Sequence, residues 1–399
     1  MSLGSDKLWI EGDKVLWCII ALLAIFSFLP VFSASSNLAY VLGKGTPLGY
    51  LLKHFVIMSL GFVLLYAVHK IPFSFFKGIS ILMMPIVFIL LMYTASQGKI
   101  ISGANANRWI EIPLIGLSFQ TSTLSSIILM IYVAHYLSKT NQSFLNFKSS
   151  FWLLWIPVLS IVMLIFPSNF STAAILFLMI IIQMFIGGYP IRHLFYIFIS
   201  GFIISLIFFL SVRAFPNIIP NRVDTWISRI DNFRSGTVDG NYQIERAKIA
   251  IASGGIYGKG AGKSVMKNFL PQSSSDFIFS IIIEEYGMLG GIILIFLYIL
   301  LLFRIIVIVH KTSSLFGKLL VVGLGFPIIF QAFINIAVNV QLLPVTGQTL
   351  PLLSSGGTSA WMTFISLGVI LSVSASIQKS NLENSTNNIN PLVVLGEDK

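Results

Sequence analysis

The sequence predicts an all-α, polytopic integral membrane protein, and three observations carry that prediction. Of its 399 residues, 56% are hydrophobic and only 10% are charged, whereas soluble proteins carry charge at roughly a quarter of positions. The mean hydropathy is +0.90, so most of the surface must face lipid. Apolar runs fall near 15–34, 52–68, 76–95, 119–137, 150–166, 171–187, 193–212, 278–303, 317–340 and 359–377. At about 20 residues per span they give about ten transmembrane helices. Helices are the expected element because a lipid-exposed backbone has to satisfy its own hydrogen bonds.

Taken in order, the first run, Val15 to Ser33, is long enough to cross and lacks a small-residue cleavage site, so it is expected to remain as the first span. The short loops then set the orientation. One side holds Lys70, Lys77, Lys139, Lys148, Arg192, Arg304, Lys311, Lys318 and Lys379. The other holds Lys44, Lys99 and Arg108, with Lys53 at a helix edge. The first side is therefore expected to be cytoplasmic, with both termini on it. Residues 1–14 form a cytoplasmic N-terminal tail, 15–378 one transmembrane domain, and 379–399, rich in Asn and Ser, a disordered cytoplasmic tail. Between the seventh and eighth spans lies a large extracytoplasmic loop, 213–277, and between the ninth and tenth an irregular segment.

The formal charge of +11 favours anionic lipid headgroups or phosphate-bearing ligands; no nucleic-acid partner is expected. Cys18 is the only cysteine, so no intrachain disulfide can form. The five histidines show no ligand spacing. The chain has no P-loop, GxSxG or HExxH pattern, which argues against nucleotide-driven pumping and the familiar hydrolases.

Chemistry concentrates in four places. The long loop carries nine basic residues, among them Lys259, Lys263 and Lys267, against five acidic ones. Its run GGIYGKGAGK can hold a pyrophosphate through charge-assisted hydrogen bonds, or it is a solvated loop touching headgroups. Asp276 closes this loop. It serves either as a general base in a partly desolvated mouth, or it or Ser275 caps a helix beginning at Phe277. Glu284 and Glu285 lie inside the next apolar stretch, about 80° and 180° around a helix from Asp276. Buried acids in a span usually face a bundle interior or cavity, so one of the two is expected to be functional; the alternative is that the span begins near Gly287.

Gln331, Asn335 and Asn339 recur every four residues and draw a polar stripe down one helix. Such a stripe is helix–helix glue, the commoner role, or cavity lining. It leads into LPVTGQTLPLLSSGGTS, whose Pro344, Pro351, Gly347, Gly356 and Gly357 forbid a regular helix. Irregular backbone at that depth has to be buried in protein or line a watery cavity. Between the third and fourth spans, Arg108 and Trp109 pair a phosphate-binding cation with an interfacial aromatic.

GANANRWI with SFQ, GGIYGKGAGKSVMKNFLP followed by DFIFSIIIEE, and LLPVTGQTLPLLSSGGTS match, in order, the patterns of the SEDS family of polytopic peptidoglycan polymerases. The resemblance covers residues 15–377, and the KSVMK segment is more similar to the division branch, FtsW, than to the elongation branch, RodA. It implies a glycosyltransferase that polymerises lipid II at the outer face of the bacterial cytoplasmic membrane, at the division site. The family's essential aspartate falls on Asp276, its Arg–Trp element on Arg108 and Trp109, and its Leu–Pro motif on Leu270 and Pro271. Arg108, Lys259, Lys263 and Lys267 are then expected at the leaving pyrophosphate. Glu284, Glu285, Asn335, Asn339, Ser355, Gly356 and Gly357 are expected around the bound headgroups. A class B penicillin-binding transpeptidase, division regulators and membrane lipids are the partners implied. No tightly bound cofactor is expected; a divalent cation would act on the pyrophosphate, with no ligand set visible. The chain departs from the family pattern at Thr123, Ser126, Asn169 and Gln272 to Ser274, where charged residues are usual. A lipid II flippase and a non-catalytic division scaffold are the alternatives.

Overall fold

The computed structural model describes residues 10–40, 46–96, 100–101, 104–105, 109–112, 117–140, 146–214, 242–270 and 273–387. The chain runs through α1 (Lys14–Tyr40), α2 (Pro47–His69) and α3 (Phe76–Ser96). Two small antiparallel pairs follow, β1 (Ile100–Ile101) with β2 (Ala104–Asn105) and β3 (Trp109–Ile112) with β4 (Leu117–Gln120). Then come α4 (Thr121–Lys139), α5 (Phe147–Ile165), α6 (Phe170–Ile186) and α7 (Ile191–Ala214). The helices α8 (Tyr242–Gly254), α9 (Ile278–Lys311), α10 (Leu315–Asn339) and α11 (Thr358–Asn387) complete the molecule. Among the described residues nine helices are long and apolar enough to cross a membrane, and the shorter α6 is apolar too.

Local chemistry sets the helix starts. Thr46 caps α2 by accepting from the Gly49 amide at 3.1 Å, with Pro47 in the first turn, where its missing N–H costs nothing. Ser314 caps α10 through the Gly317 amide at 3.0 Å. Asn169 caps α6 through the Thr172 amide at 3.4 Å; a short polar acceptor thus serves a structural purpose where the family pattern has a charge. Thr123 and Ser126 turn their hydroxyls onto the carbonyls of Gln120 and Ser122.

The helices α4, α10 and α11 form the middle of the bundle, whereas α7 is the least buried span, with Leu194 and Ile197 buried among its described side chains. Beside a small apolar cluster of Ala247, Leu270, Phe277 and Ile281, the main apolar core runs from Leu16 and Ile20 through Leu129 and Trp155 to Phe364. At its heart the fully buried Gln183 donates to the carbonyls of Met130 and Leu319, each at 3.0 Å, tying α6 to α4 and α10. At one end Glu11 takes Lys70 at 3.0 Å and Lys379 at 3.1 Å, and Asp13 takes Arg304 at 2.6 Å. These contacts gather the N-terminal segment, α2, α9 and α11, and unite three of the basic residues placed on one side by the charge pattern.

Two boundaries differ from expectation. The helix α11 continues to Asn387, into the stretch expected to be a disordered tail, because extending a formed helix is far cheaper than nucleating one. Residues 388–399 lie outside the described residues. The long loop is not featureless: α7 extends through Ala214 and α8 occupies 242–254, while 215–241 lies outside the described residues.

Candidate active site

Asp276 stands at the mouth of α9, half-buried. The helix begins at Ile278, and Phe277, rather than Ser275 or Asp276, occupies its cap position. The main chain leading into it is held from the side by the irregular segment. The Ser355 amide donates to the Ser274 carbonyl at 2.8 Å, and the Ser354 hydroxyl to the Ser275 carbonyl at 2.6 Å. The Asp276 carbonyl accepts from Asn335 at 2.8 Å and Asn339 at 3.0 Å. The Asp276 carboxylate lies against Gly347, whose φ of +68° suits glycine; a Cβ there would sit 3.6 Å from its Oδ2.

The segment 344–357 owes its shape to the same stripe on α10. Gln331 donates to the Thr349 carbonyl at 2.9 Å, and Asn335 to the Gln348 carbonyl at 2.7 Å. The Gln348 side chain reaches across to the Thr172 hydroxyl at 3.0 Å, just inside the start of α6. Tyr298, on α9, donates to the Pro351 carbonyl from a fully buried position. The stripe is therefore glue, and what it glues is the irregular backbone that faces Asp276. Gly356 and Gly357 are half-buried beside the exposed Ser355.

Glu284 and Glu285 build a second cluster two turns further along α9. The helix breaks at Gly287, with φ 71° and ψ −174°. Across the break the loop after α8 supplies what the helix loses. The Lys259 and Gly260 amides donate to the Glu284 and Glu285 carbonyls, each at 2.9 Å. The Gly255 and Ile256 carbonyls accept from the Met288 and Leu289 amides at 2.9 and 3.3 Å. Only glycine permits this approach, since a Cβ on Gly258 would lie 2.2 Å from the Glu285 carbonyl oxygen.

Side chains reinforce the seam. Glu284, with no exposed surface, accepts from the Lys259 ammonium at 2.7 Å, the Val265 and Met266 amides at 3.1 and 3.2 Å, and the Ser264 hydroxyl. Glu285 accepts from the Ser33 hydroxyl and from the Ser264 amide at 3.3 Å. The Lys267 ammonium meets the same Ser33 at 3.1 Å and the Gly262 carbonyl at 2.8 Å. The glycine-rich run thus docks on a helix break, with Lys259 turned to Glu284, and Lys263 remains exposed.

The structure brings Asp276, Asn335, Asn339 and the 344–357 segment into one site, and Lys259, Lys267, Glu284 and Glu285 into its neighbour. Trp109 opens β3, paired with Gln120 at the foot of α4; Arg108, Pro271 and Gln272 lie outside the described residues. Ser273 is buried and donates to the Ala34 carbonyl at 3.5 Å. Sequence reasoning passed over Ser33, Ser264, Ser280 and Gln348, because a lone hydroxyl or amide in an apolar or irregular stretch has no periodicity to betray it. Among the described residues no three His, Cys, Asp or Glu side chains are grouped to hold a metal ion.

Nine described helices long and apolar enough to cross a membrane, enclosing a half-buried carboxylate at the mouth of a broken helix that irregular backbone faces, define a polytopic membrane protein with a polar site. Residues 13–379 match the cell cycle protein family of FtsW, RodA and SpoVE, and the chain belongs to that family. It is 32% identical to the probable peptidoglycan glycosyltransferase FtsW of Hydrogenovibrio crunogenus over 92% of this chain and 93% of that one. The corresponding protein of Coxiella burnetii is 30% identical, over 92% and 96%. In fold, the chain is similar to a component of a peptidoglycan synthase complex that coordinates polymerization and crosslinking, with a TM-score of 0.71, 23% identity and coverage of 92% and 99%. It also resembles the rod shape determining protein RodA of Thermus thermophilus, with a TM-score of 0.64, 24% identity and coverage of 92% and 97%.

Proposed function

We propose that this chain is a peptidoglycan glycosyltransferase of the division branch, joining lipid II units into glycan strands at the outer face of the cytoplasmic membrane. The observation that carries the reading is the placement of Asp276. Its main chain is fixed by α10 and its carboxylate faces the glycine of an irregular segment. It also stands at the opposite end of a 34-residue helix from the Arg304–Asp13 pair. With the basic end cytoplasmic, Asp276 is at the outer surface and both termini are inside.

In this reading Asp276 accepts the proton of the acceptor sugar's hydroxyl as its oxygen attacks the anomeric carbon of the donor. The new glycosidic bond forms with inversion, and the bond to undecaprenyl pyrophosphate breaks. Arg108, Lys263 and Lys267 stabilise the charge growing on the pyrophosphate, while Lys259 acts indirectly, by holding the loop on Glu284. Trp109 and the Ser355–Gly357 turn border the headgroup site. An inverting displacement with a carboxylate base needs no tightly bound cofactor; a divalent cation would serve on the pyrophosphate oxygens. A class B penicillin-binding transpeptidase is the partner that crosslinks the emerging strand, and division regulators and membrane lipids complete the surroundings.

The test is polymerisation of lipid II by the purified chain reconstituted with its cognate transpeptidase, wild type beside Asp276→Asn. Wild type yields polymer, and a folded Asp276→Asn protein loses about 100-fold or more of the rate, the usual contribution of a general base. Full activity in the variant would remove Asp276 from the chemistry.

A further inference from the structure

We infer that Asn335 and Asn339 are positioning residues for Asp276 rather than contacts for the substrate; this rests on the base role proposed above. Both are essentially without exposed surface, at 1% and 0%. Their N–H donors are already engaged inside the protein. Asn335 uses one carboxamide N–H on the Asp276 carbonyl at 2.8 Å and the other on the Gln348 carbonyl at 2.7 Å. Asn339 directs its N–H groups to the Asp276 carbonyl at 3.0 Å and the Asn335 carbonyl at 2.9 Å. Its Oδ1 takes the Ser280 amide at 3.2 Å and hydroxyl at 2.7 Å. A primary amide has two N–H donors, so neither residue keeps one for a headgroup.

The consequence falls on the Asp276 peptide. Its carbonyl oxygen carries two donors, one for each lone pair. With the contacts to Ser274 and Ser275, three successive carbonyls of a non-helical stretch are held by α10 or by residues 354–355. Fixing that backbone fixes the direction in which the Asp276 Cβ leaves the chain, and hence where its carboxylate stands relative to Gly347. Asn335 is bonded to both sides of the site, to Asp276 and to the segment opposite it. Ser280 anchors Asn339 to the first turn of α9, so the bracket registers α10 against the helix that Asp276 introduces.

The experiment replaces each amide by the carboxylate of the same shape. Asn335→Asp and Asn339→Asp remove the N–H donors and set acceptor against acceptor. Steady-state lipid II polymerisation is measured beside wild type, Asp276→Asn and Gln183→Leu. Gln183 is an equally buried amide whose two bonds serve bundle packing alone. For both Asp variants kcat is expected to fall by about 100-fold, the scale of a displaced catalytic group, with KM staying within about twofold of wild type. Gln183→Leu is expected to lower the melting temperature and leave kcat intact. Should the carboxylate variants fail to fold, Asn335→Ala and Asn339→Ala delete the donors without adding charge, and the same split is expected. A raised KM with kcat preserved, unchanged kinetics, or an equal loss of kcat in Gln183→Leu each overturns the positioning role. An active Asp276→Asn defeats the base reading and the positioning role with it. An inactive one beside fully active Asn variants defeats the positioning role alone.

Discussion

Glu284 illustrates how much can depend on one carboxylate. It has no contact with solvent, yet it gathers an ammonium, two amides and a hydroxyl from a loop that is otherwise largely exposed. Truncation would strand these donors and leave Lys259 without its counter-ion. Glu284→Ala is therefore expected to cost about 1–3 kcal/mol, the scale for leaving buried donors unsatisfied, read as a lowered melting temperature in detergent. Glu284→Gln, which keeps the shape and one acceptor, should cost less; a melting temperature unmoved by either change would show that the loop docks by its backbone alone. At this scale the sequence was half legible. Two adjacent acids inside an apolar run announce themselves by their cost in lipid, and the stripe at 331, 335 and 339 by its spacing. The partners were not legible. Asn335 meets a carbonyl 59 positions away and Glu285 a serine 252 positions away, and no local pattern encodes either.

At the scale of elements, the spans could be read from their apolar length because lipid demands about 20 residues of it, and each apolar run overlaps an observed helix, while α8 and the far end of α11 had no such signal. The break at Gly287 was harder to see, since apolar composition continues through it and a glycine inside a span is commonplace. The irregular segment was legible from Pro344, Pro351 and Gly347, although its fold against Asp276 required the three-dimensional structure. Gly287→Ala tests the break directly. The new Cβ would lie 2.1 Å from the Ile256 carbonyl oxygen in a region of φ that disfavours a side chain. A loss of more than about 1 kcal/mol is expected, together with faster protease nicking between 255 and 267. Nicking at the wild-type rate would mean that the seam yields without opening.

Across the whole molecule, two ends of different character emerge. One end holds Asp276 and the docked loop; at the other, Glu11, Asp13, Lys70, Arg304 and Lys379 draw four chain segments together. Hydrogen bonding to Lys70 is the chief cause that holds the Glu11 carboxyl below its ordinary 4.5, with partial burial opposing and Lys379 assisting. A carboxylate with a depressed folded value adds stability above its unfolded value and loses it as pH falls through the folded one. Wild type should therefore melt above Glu11→Gln near neutrality, the gap closing as pH drops below 4.5; a gap constant with pH would dissociate Glu11 from the latch. At the opposite end, the seam carries a consequence for how the chain can change over time. Residues 255–260 have the composition of a linker, where insertions and deletions are ordinarily absorbed. Here they stand in for two missing rungs of α9, donating at 259 and 260 and accepting at 255 and 256. Adding or removing a single residue between those pairs would slide one against the other and orphan backbone groups on both the loop and α9. Homologous chains should therefore vary in sequence at Tyr257 and Ala261 while keeping the count between Gly254 and Gly260 as constant as that within a helical turn.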